Sequence, residues 1–204
     1  LTHGNFVSVV AVGQAQINIR PTDVHISYLP LAHVLERLVI NSVMSAGAQA
    51  GFFGGDVQKL KEDLMALKPT IFASVPRLLT RFYDVMNEGV KKLQGCKKGL
   101  ATKAVNTKLS NIKSKGSITH SETTVLSPLP ACSCPIIEGY GQTESSGASF
   151  VTSFADSSSG HVGGPTRNTE FKLVDVKEMS YTSKDKDENG NPQPRGEVCF
   201  RGPG

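Results

Sequence analysis

Over residues 1–94 short apolar runs alternate with stretches of helical spacing, and proline, glycine or an acidic cap marks each change of rhythm. The chain opens on Leu1-Thr2-His3-Gly4-Asn5-Phe6 and passes into a small-residue, β-branched helical stretch to about Ala15; an opening in mid-pattern, without Met, suggests a fragment. Arg20-Pro21-Thr22-Asp23 has turn composition, and Val24 to Leu29 reads as a buried strand. Pro30 punctuates it, and a helix is predicted from about Ala32 to Ala46, stopped by Gly47. Gln49 to Phe53 reads as a second strand, closed by Gly54-Gly55. Asp56 is placed to cap a helix in which Val57, Leu60, Leu64 and Leu67 recur at three- and four-residue spacing. Thr70 to Val75 predicts a third strand. Pro76 then starts an amphipathic helix with Leu78, Phe82, Val85, Met86 and Val90 on its apolar side. Repeated strand–helix order predicts an α/β fold, a parallel sheet with right-handed crossovers.

The rhythm then breaks. From Lys91 to Lys115 there are eight lysines and no acid. Such a run is either a solvated helix and loop or a basic surface for an anionic lipid or a phosphate-rich ligand. Ser117 to Ser133 is rich in serine, threonine and proline and predicts no element. Pattern returns at Ile136-Ile137, which read as a strand running into a tight turn at Gly139-Tyr140-Gly141. Ala148 to Thr152 reads as a short strand and Gly160-His161-Val162-Gly163-Gly164-Pro165 as a glycine-rich loop. Glu170 to Val176 alternates like a strand. Gly196 to Gly202 is its returning partner, across a polar stretch with a turn at Glu188-Asn189-Gly190-Asn191-Pro192. The chain thus divides into an α/β part (1–94), a basic and Ser/Thr/Pro-rich irregular segment (95–134), and a turn with a β-rich subdomain (135–204).

At 204 residues, 38% hydrophobic and 20% charged, the chain has the length for one good core and a globular rather than disordered composition. No secretory signal pattern opens it. Its longest apolar region, Val24 to Phe53, is interrupted by His25, His33, Glu36 and Arg37, which marks buried core rather than a membrane span. A net charge of +4 permits anionic partners without requiring them. Cys96, Cys132, Cys134 and Cys199 have neither disulfide-framework nor zinc-site spacing, which together with the lack of an Asn-x-Ser/Thr sequon fits a cytosol-facing protein.

Candidate chemistry gathers at Glu138-Gly139-Tyr140-Gly141-Gln142-Thr143-Glu144. The glycines let backbone approach a ligand closely. Tyr140 offers a flat face, Thr143 a hydroxyl for an anionic oxygen, and Glu144 a carboxylate for a hard cation such as magnesium. Together these suit a nucleotide with its metal; the competing reading is a plain structural turn. Glu144 stands where a dinucleotide fingerprint would have its third glycine, and no Gly-Lys-Ser/Thr occurs to make a P-loop. His33 falls between a strand's C-terminal end and a helix N-terminus, the edge at which ligands bind open α/β sheets. It reads equally as a helix-terminal histidine with a satisfied hydrogen bond.

Several pieces in fixed order resemble the AMP-forming, adenylate-forming ligases, and within them the eukaryotic long-chain fatty-acid–CoA ligases. They are Leu1-Thr2-His3-Gly4-Asn5, Tyr28-Leu29-Pro30-Leu31-Ala32-His33-Val34-Leu35-Glu36-Arg37, Lys68 to Leu79, Glu138 to Glu144, Gly160 to Gly163, and Arg195 to Gly202. The resemblance implies part of the large N-terminal domain of such a ligase. It implies ATP/AMP, Mg2+ and coenzyme A as cofactor and co-substrates, a long-chain fatty acid as substrate, and no nucleic acid. By position, Tyr140 is similar to the residue packed on the adenine, Thr143 to the hydroxyl on the AMP phosphate, and Glu144 to the magnesium carboxylate. His33 is similar to the residue beside the reacting carboxylate and α-phosphate, and Gly139 and Gly141 to positions leaving room for adenine and acyl chain. The family's phosphate loop would precede Leu1, and its ribose aspartate, hinge and catalytic-lysine domain would follow Gly204. Ser121 to Pro135 departs from the family's strand and Gly-Ala-Ala-Pro turn. The 204 residues alone are therefore expected to turn over little. The whole enzyme is expected to face the cytosol, with peripheral contact to endoplasmic reticulum, mitochondrial outer or peroxisomal membrane.

Overall fold

The computed structural model describes residues 1–115, 136–154, 156 and 160–204. Five helices and seven short strands are defined among them. Helix α1 (His3–Ile17) starts from Thr2, whose hydroxyl accepts the Asn5 N–H while the Asn5 side chain accepts the Thr2 N–H, a reciprocal cap. Strand β1 (Val24–Ser27) leads through Pro30 to α2 (Val34–Ser45) and then to β2 (Gln49–Phe52). β1 and β2 pair in parallel, from Val24 with Gln49 to Ser27 with Phe52. Asp56 caps a 3-10 turn (Val57–Lys59) that feeds α3 (Leu60–Leu67), and α4 is Pro76–Lys92.

The expected third strand at Thr70–Val75 shrinks to one parallel bridge between His25 and Ile71. The Thr70 and Ile71 N–H groups both converge on the Val24 carbonyl, and the Val24 N–H is taken by the Thr70 hydroxyl. Two donors on one acceptor break the register a ladder needs. The segment from residue 95, expected to be irregular with a solvated helix and loop over its lysine run, begins as one helix, α5 (Gly95–Lys115). Its lysines and alanines are good helix formers without an apolar repeat, so no periodic signal marks it. The Ser117–Ser133 reading, the family departure at Ser121–Pro135 and Cys132 and Cys134 fall on residues outside the described set. Cys96 and Cys199 are free thiols.

The core sits between the parallel pair and its helices. Ile26, Tyr28 and Leu60 are buried, with Leu64, Phe72 and Leu78 packed against them. Tyr28 stacks on Phe72, and Phe72 on Phe82. Burying a side chain such as Ile26 or Leu60 stabilises by roughly 1.5–3 kcal/mol.

The C-terminal half is antiparallel. β3 (Gly139–Tyr140), β4 (Phe150–Val151) and β5 (Gly164–Pro165) form one small sheet. β6 (Glu170–Val174) and β7 (Glu197–Arg201) form a hairpin with Glu170 opposite Arg201. The strand expected to include Ile136 and Ile137 starts later, at Gly139, and Ile136 is exposed. β4 is too short to reach those residues: it ends at Val151, opposite Gly139, and Thr152 just beyond it already meets Glu138.

Candidate functional site

Tyr140 lies on β3 opposite Phe150, with ring centroids 6.2 Å apart. Phe200 of β7 lies at the same distance on a different tilt, and Phe150 in turn meets Phe171 edge-on. The Tyr140 ring thus rests on aromatic residues from both small sheets and stays partly exposed.

The chain then turns. Gln142 opens a 3-10 turn (Thr143–Ser145), and its carbonyl accepts the N–H groups of Ser145 and Gly147. The Ser149 hydroxyl donates to Ser145 Oγ at 2.7 Å, and the Ser149 N–H closes back on the Tyr140 carbonyl at 2.9 Å. Thr143 and Glu144 sit exposed at the crest. A Cβ on Gly141 would lie 2.2 Å from the Gly147 carbonyl oxygen, so the chain itself demands glycine there before any ligand is considered. Gly139 has more room, with the Phe150 carbonyl 3.3 Å from its Cβ position.

The turn lies against α2. The Cβ position of Gly147 is 3.2 Å from Val34 and 3.6 Å from Leu38. His33 is the N-cap of that helix, next to Val34, and is exposed. Its Nδ1 accepts the Leu35 N–H at 3.2 Å. The neutral ring therefore carries its proton on Nε2. All the candidate residues (His33, Gly139, Tyr140, Gly141, Thr143 and Glu144) thus belong to two packed segments. The first helix and the last residues of the chain meet near the same turn. Asn5 Nδ2 donates to the Pro203 carbonyl at 3.0 Å, Asn168 Nδ2 to Ser8 Oγ at 3.0 Å, and Gly204 approaches Ser145.

One polar feature escaped the reading of the sequence. His25 and Glu36 are both fully buried, with Nε2 and Oε1 3.2 Å apart. Their signal was visible as two ionisable residues interrupting the longest apolar region, but spacing does not show that they face each other. Among the described residues Glu36 Oε2 and Ser146 Oγ are buried without a hydrogen-bond partner.

Comparison with known proteins shows the fold and the family of the chain. At the level of fold, the chain is matched by O-succinylbenzoate coenzyme A synthetase from Bacillus subtilis in complex with AMP, at TM-score 0.59 and 16% identity, over 99% of this chain and 46% of that one. The fold is thus that of the adenylate-forming ligases. The family model described as AMP-binding enzyme matches residues 1–204, and the chain belongs to that family. It is similar to long chain acyl-CoA synthetase 7, peroxisomal, of Arabidopsis thaliana, at 42% identity over all of this chain and 32% of the relative. It is also similar to long-chain-fatty-acid–CoA ligase 5 of Mus musculus, at 37% identity over 99% of this chain and 33% of the relative. The chain spans about a third of the length of these curated relatives. The first alignment runs over 233 positions, more than the 204 residues of the chain, so that relative has positions with no counterpart here.

Proposed function

We propose that this chain forms the adenylate-binding part of an AMP-forming long-chain fatty-acid–CoA ligase. The observation that carries the reading is the seating of Gly147 on Val34 and Leu38, which brings the Gly139–Glu144 turn against the helix capped by His33. An aromatic face, a hydroxyl, a carboxylate and an imidazole N–H then share one exposed region. The division into an α/β part and a β-rich part around this turn belongs to the same proposal.

In this reading a fatty-acid carboxylate attacks the α-phosphorus of ATP. The bond to the bridging oxygen breaks, diphosphate leaves, and an acyl-adenylate remains. The coenzyme A thiol gives up its proton and displaces AMP from the acyl carbon. Tyr140 carries the adenine, with Gly139 and Gly141 leaving its edge clear. Thr143 donates to the AMP phosphate. His33 Nε2–H donates to an oxygen of the carboxylate or α-phosphate, which offsets the approach of anion to anion. The donor set suits magnesium: Glu144 is a single exposed carboxylate, and no group of three ligating side chains exists among the described residues. Magnesium takes one or two carboxylates together with substrate phosphates and water, and when bound it neutralises phosphate charge. The same bacterial synthetase has been solved with ATP and magnesium ion.

Peripheral membrane contact and a cytosol-facing place in the complete enzyme are supported here by the exposed Lys91, Lys92, Lys97, Lys98 and Lys103. No helix among the described residues is long and apolar enough to cross a membrane.

A second reading, a non-catalytic acyl- or partner-binding piece of the fold, draws on the apolar groove beside Tyr140. That groove, of about 300 Å3, is lined by Phe150, Val162, Phe171, Leu173 and Val198 and offers surface without chemistry. A thermal melt of the 204-residue chain with a non-hydrolysable acyl-adenylate analogue separates the two. Ligand binding raises stability with the logarithm of concentration over Kd. The ligase reading predicts an upward shift that disappears in Glu144→Ala and Thr143→Ala. A cooperative melt without any shift favours the second reading.

A further inference from the structure

We propose that the buried His25–Glu36 pair is a positioning device that ties the first turn of α2 to β1 and thereby sets the ring of His33. The proposal rests on the ligase reading only for what that ring then touches.

Glu36 occupies the third helical position after the His33 cap. A glutamate there commonly turns back to the N-cap N–H. Here that N–H goes to the Pro30 carbonyl at 2.9 Å, and the carboxylate instead enters the core to meet His25. The His25 Nδ1 lies 3.4 Å from the Ile71 carbonyl, so the tie runs from α2 through β1 to the chain beyond α3. The next residue holds the turn from outside: Arg37 Nε donates to the Leu31 carbonyl at 3.2 Å. The Pro30–His33 turn is therefore pinned on its sheet side by Glu36 and on its solvent side by Arg37.

Packing alone does not account for the pair. A buried ionisable pair is often no more stabilising than apolar residues of similar volume, and its best-attested use is to specify one arrangement. Hydrogen bonds with one geometry fix a register that leucines would leave free to slide. His33 needs such a register, because its own bond to the Leu35 N–H only orients the ring relative to the helix. The helix must in turn be fixed relative to the Thr143–Gly147 turn that Val34 supports.

The test is the double variant His25→Leu/Glu36→Leu in the 204-residue chain. It removes both polar partners together and leaves no single buried charge. Proton NMR reads where the His33 end of α2 sits, through nuclear Overhauser contacts of the Val34 and Leu38 methyl groups with Gly147. The parent is expected to show these contacts. The double variant is expected to melt cooperatively but to lose them. Unchanged contacts overturn the proposal. Should the double variant not melt cooperatively, His25→Phe/Glu36→Met is read in the same way. Glu36→Gln, which can still bond His25, must keep the parent contacts, and their loss there also overturns the proposal. The second readout is Kd for the acyl-adenylate analogue. The double variant should bind about tenfold more weakly, and cause no further loss in a His33→Ala background. An equal loss in both backgrounds means a general structural effect and overturns the proposal. If the parent chain binds no analogue, the ligase reading fails while the contacts of Val34 and Leu38 with Gly147 still decide the role of the pair.

Discussion

In the first 94 residues the apolar side chains withdrawn from water include Ile26, Val43 and Leu60; between residues 136 and 204 the buried described residues are Ser146, Ser149 and Thr166. Apart from the buried His25–Glu36 pair, the first region is held mainly by volume. Its helices and parallel pair close on a common apolar centre, and neighbours there can be exchanged for others of similar bulk. The second region is held by particular atoms. Ser149 reaches Ser145, Thr166 reaches Asn168, and Asp187 accepts the N–H groups of Asn189 and Asn191. Its aromatic rings touch one another yet remain partly exposed. The turn bearing Thr143 and Glu144 belongs to this second region, and its helix partner α2 to the first. The candidate site is therefore shaped by hydrogen bonds on one side and backed by a core on the other.

The largest effect expected from this contrast is at Leu60. Leu60→Ala should cost about 2–5 kcal/mol, read as a fall in the urea midpoint of unfolding. Phe150→Ala, on the aromatic patch, should cost less than half as much, because its ring is only partly withdrawn from water. Equal losses would end the contrast between the regions.

Gly141→Ala comes next. The added Cβ meets the Gly147 carbonyl oxygen, so the turn must move, at a cost of about 1–3 kcal/mol. Gly164→Ala has open space around its Cβ and serves as the matched control, with no comparable loss. Binding of the acyl-adenylate analogue should fall in the first variant and hold in the second.

Ser149→Ala removes a buried hydroxyl bond and should cost about 1 kcal/mol by the same urea measurement. A negligible loss would show that the serines of the turn are ornaments of its backbone rather than its fastening.

The smallest effect is on acidity. The Thr182 hydroxyl and N–H, with Arg195, hold the Asp185 carboxyl below its ordinary value, and the Asn191 side chain and N–H do the same for Asp187. A depressed carboxyl adds stability that is complete above the unfolded value near pH ~4 and is lost as pH falls through the folded value. Amide protection, the exchange rate relative to the unfolded rate at the same pH, should therefore fall in residues 182–195 below about pH 4 before it does in α1, which has no carboxyl of its own. Simultaneous loosening would show that the polar turn has no independent acid sensitivity.

The contrast also explains what could be read from the residues. Leu60, Leu64 and Leu67 announce their helix, because a face turned to a core must repeat with the helical period. α5 carries no such repeat, and its lysine run reads only as a solvated helix and loop without bounds. Thr70 to Val75 has strand composition, yet the convergence of two N–H groups on the Val24 carbonyl leaves it one bridge. Composition reports which residues tolerate a strand, whereas pairing depends on a register set by the neighbouring chain.

For the site, the order of motif pieces along the chain was enough to point to the adenylate-forming ligases and to single out His33 and the Gly139–Glu144 turn. Those are local facts: a capping position, a glycine between bulky neighbours, a hydroxyl and a carboxylate in succession. The seating of Gly147 on Val34, the demand for glycine at 141 made by the chain's own carbonyl, and the meeting of His25 with Glu36 came only with the packed chain. Each is a contact between residues remote in sequence or across a turn. Such contacts are chosen by how helices and strands close on one another, a choice that no local spacing encodes.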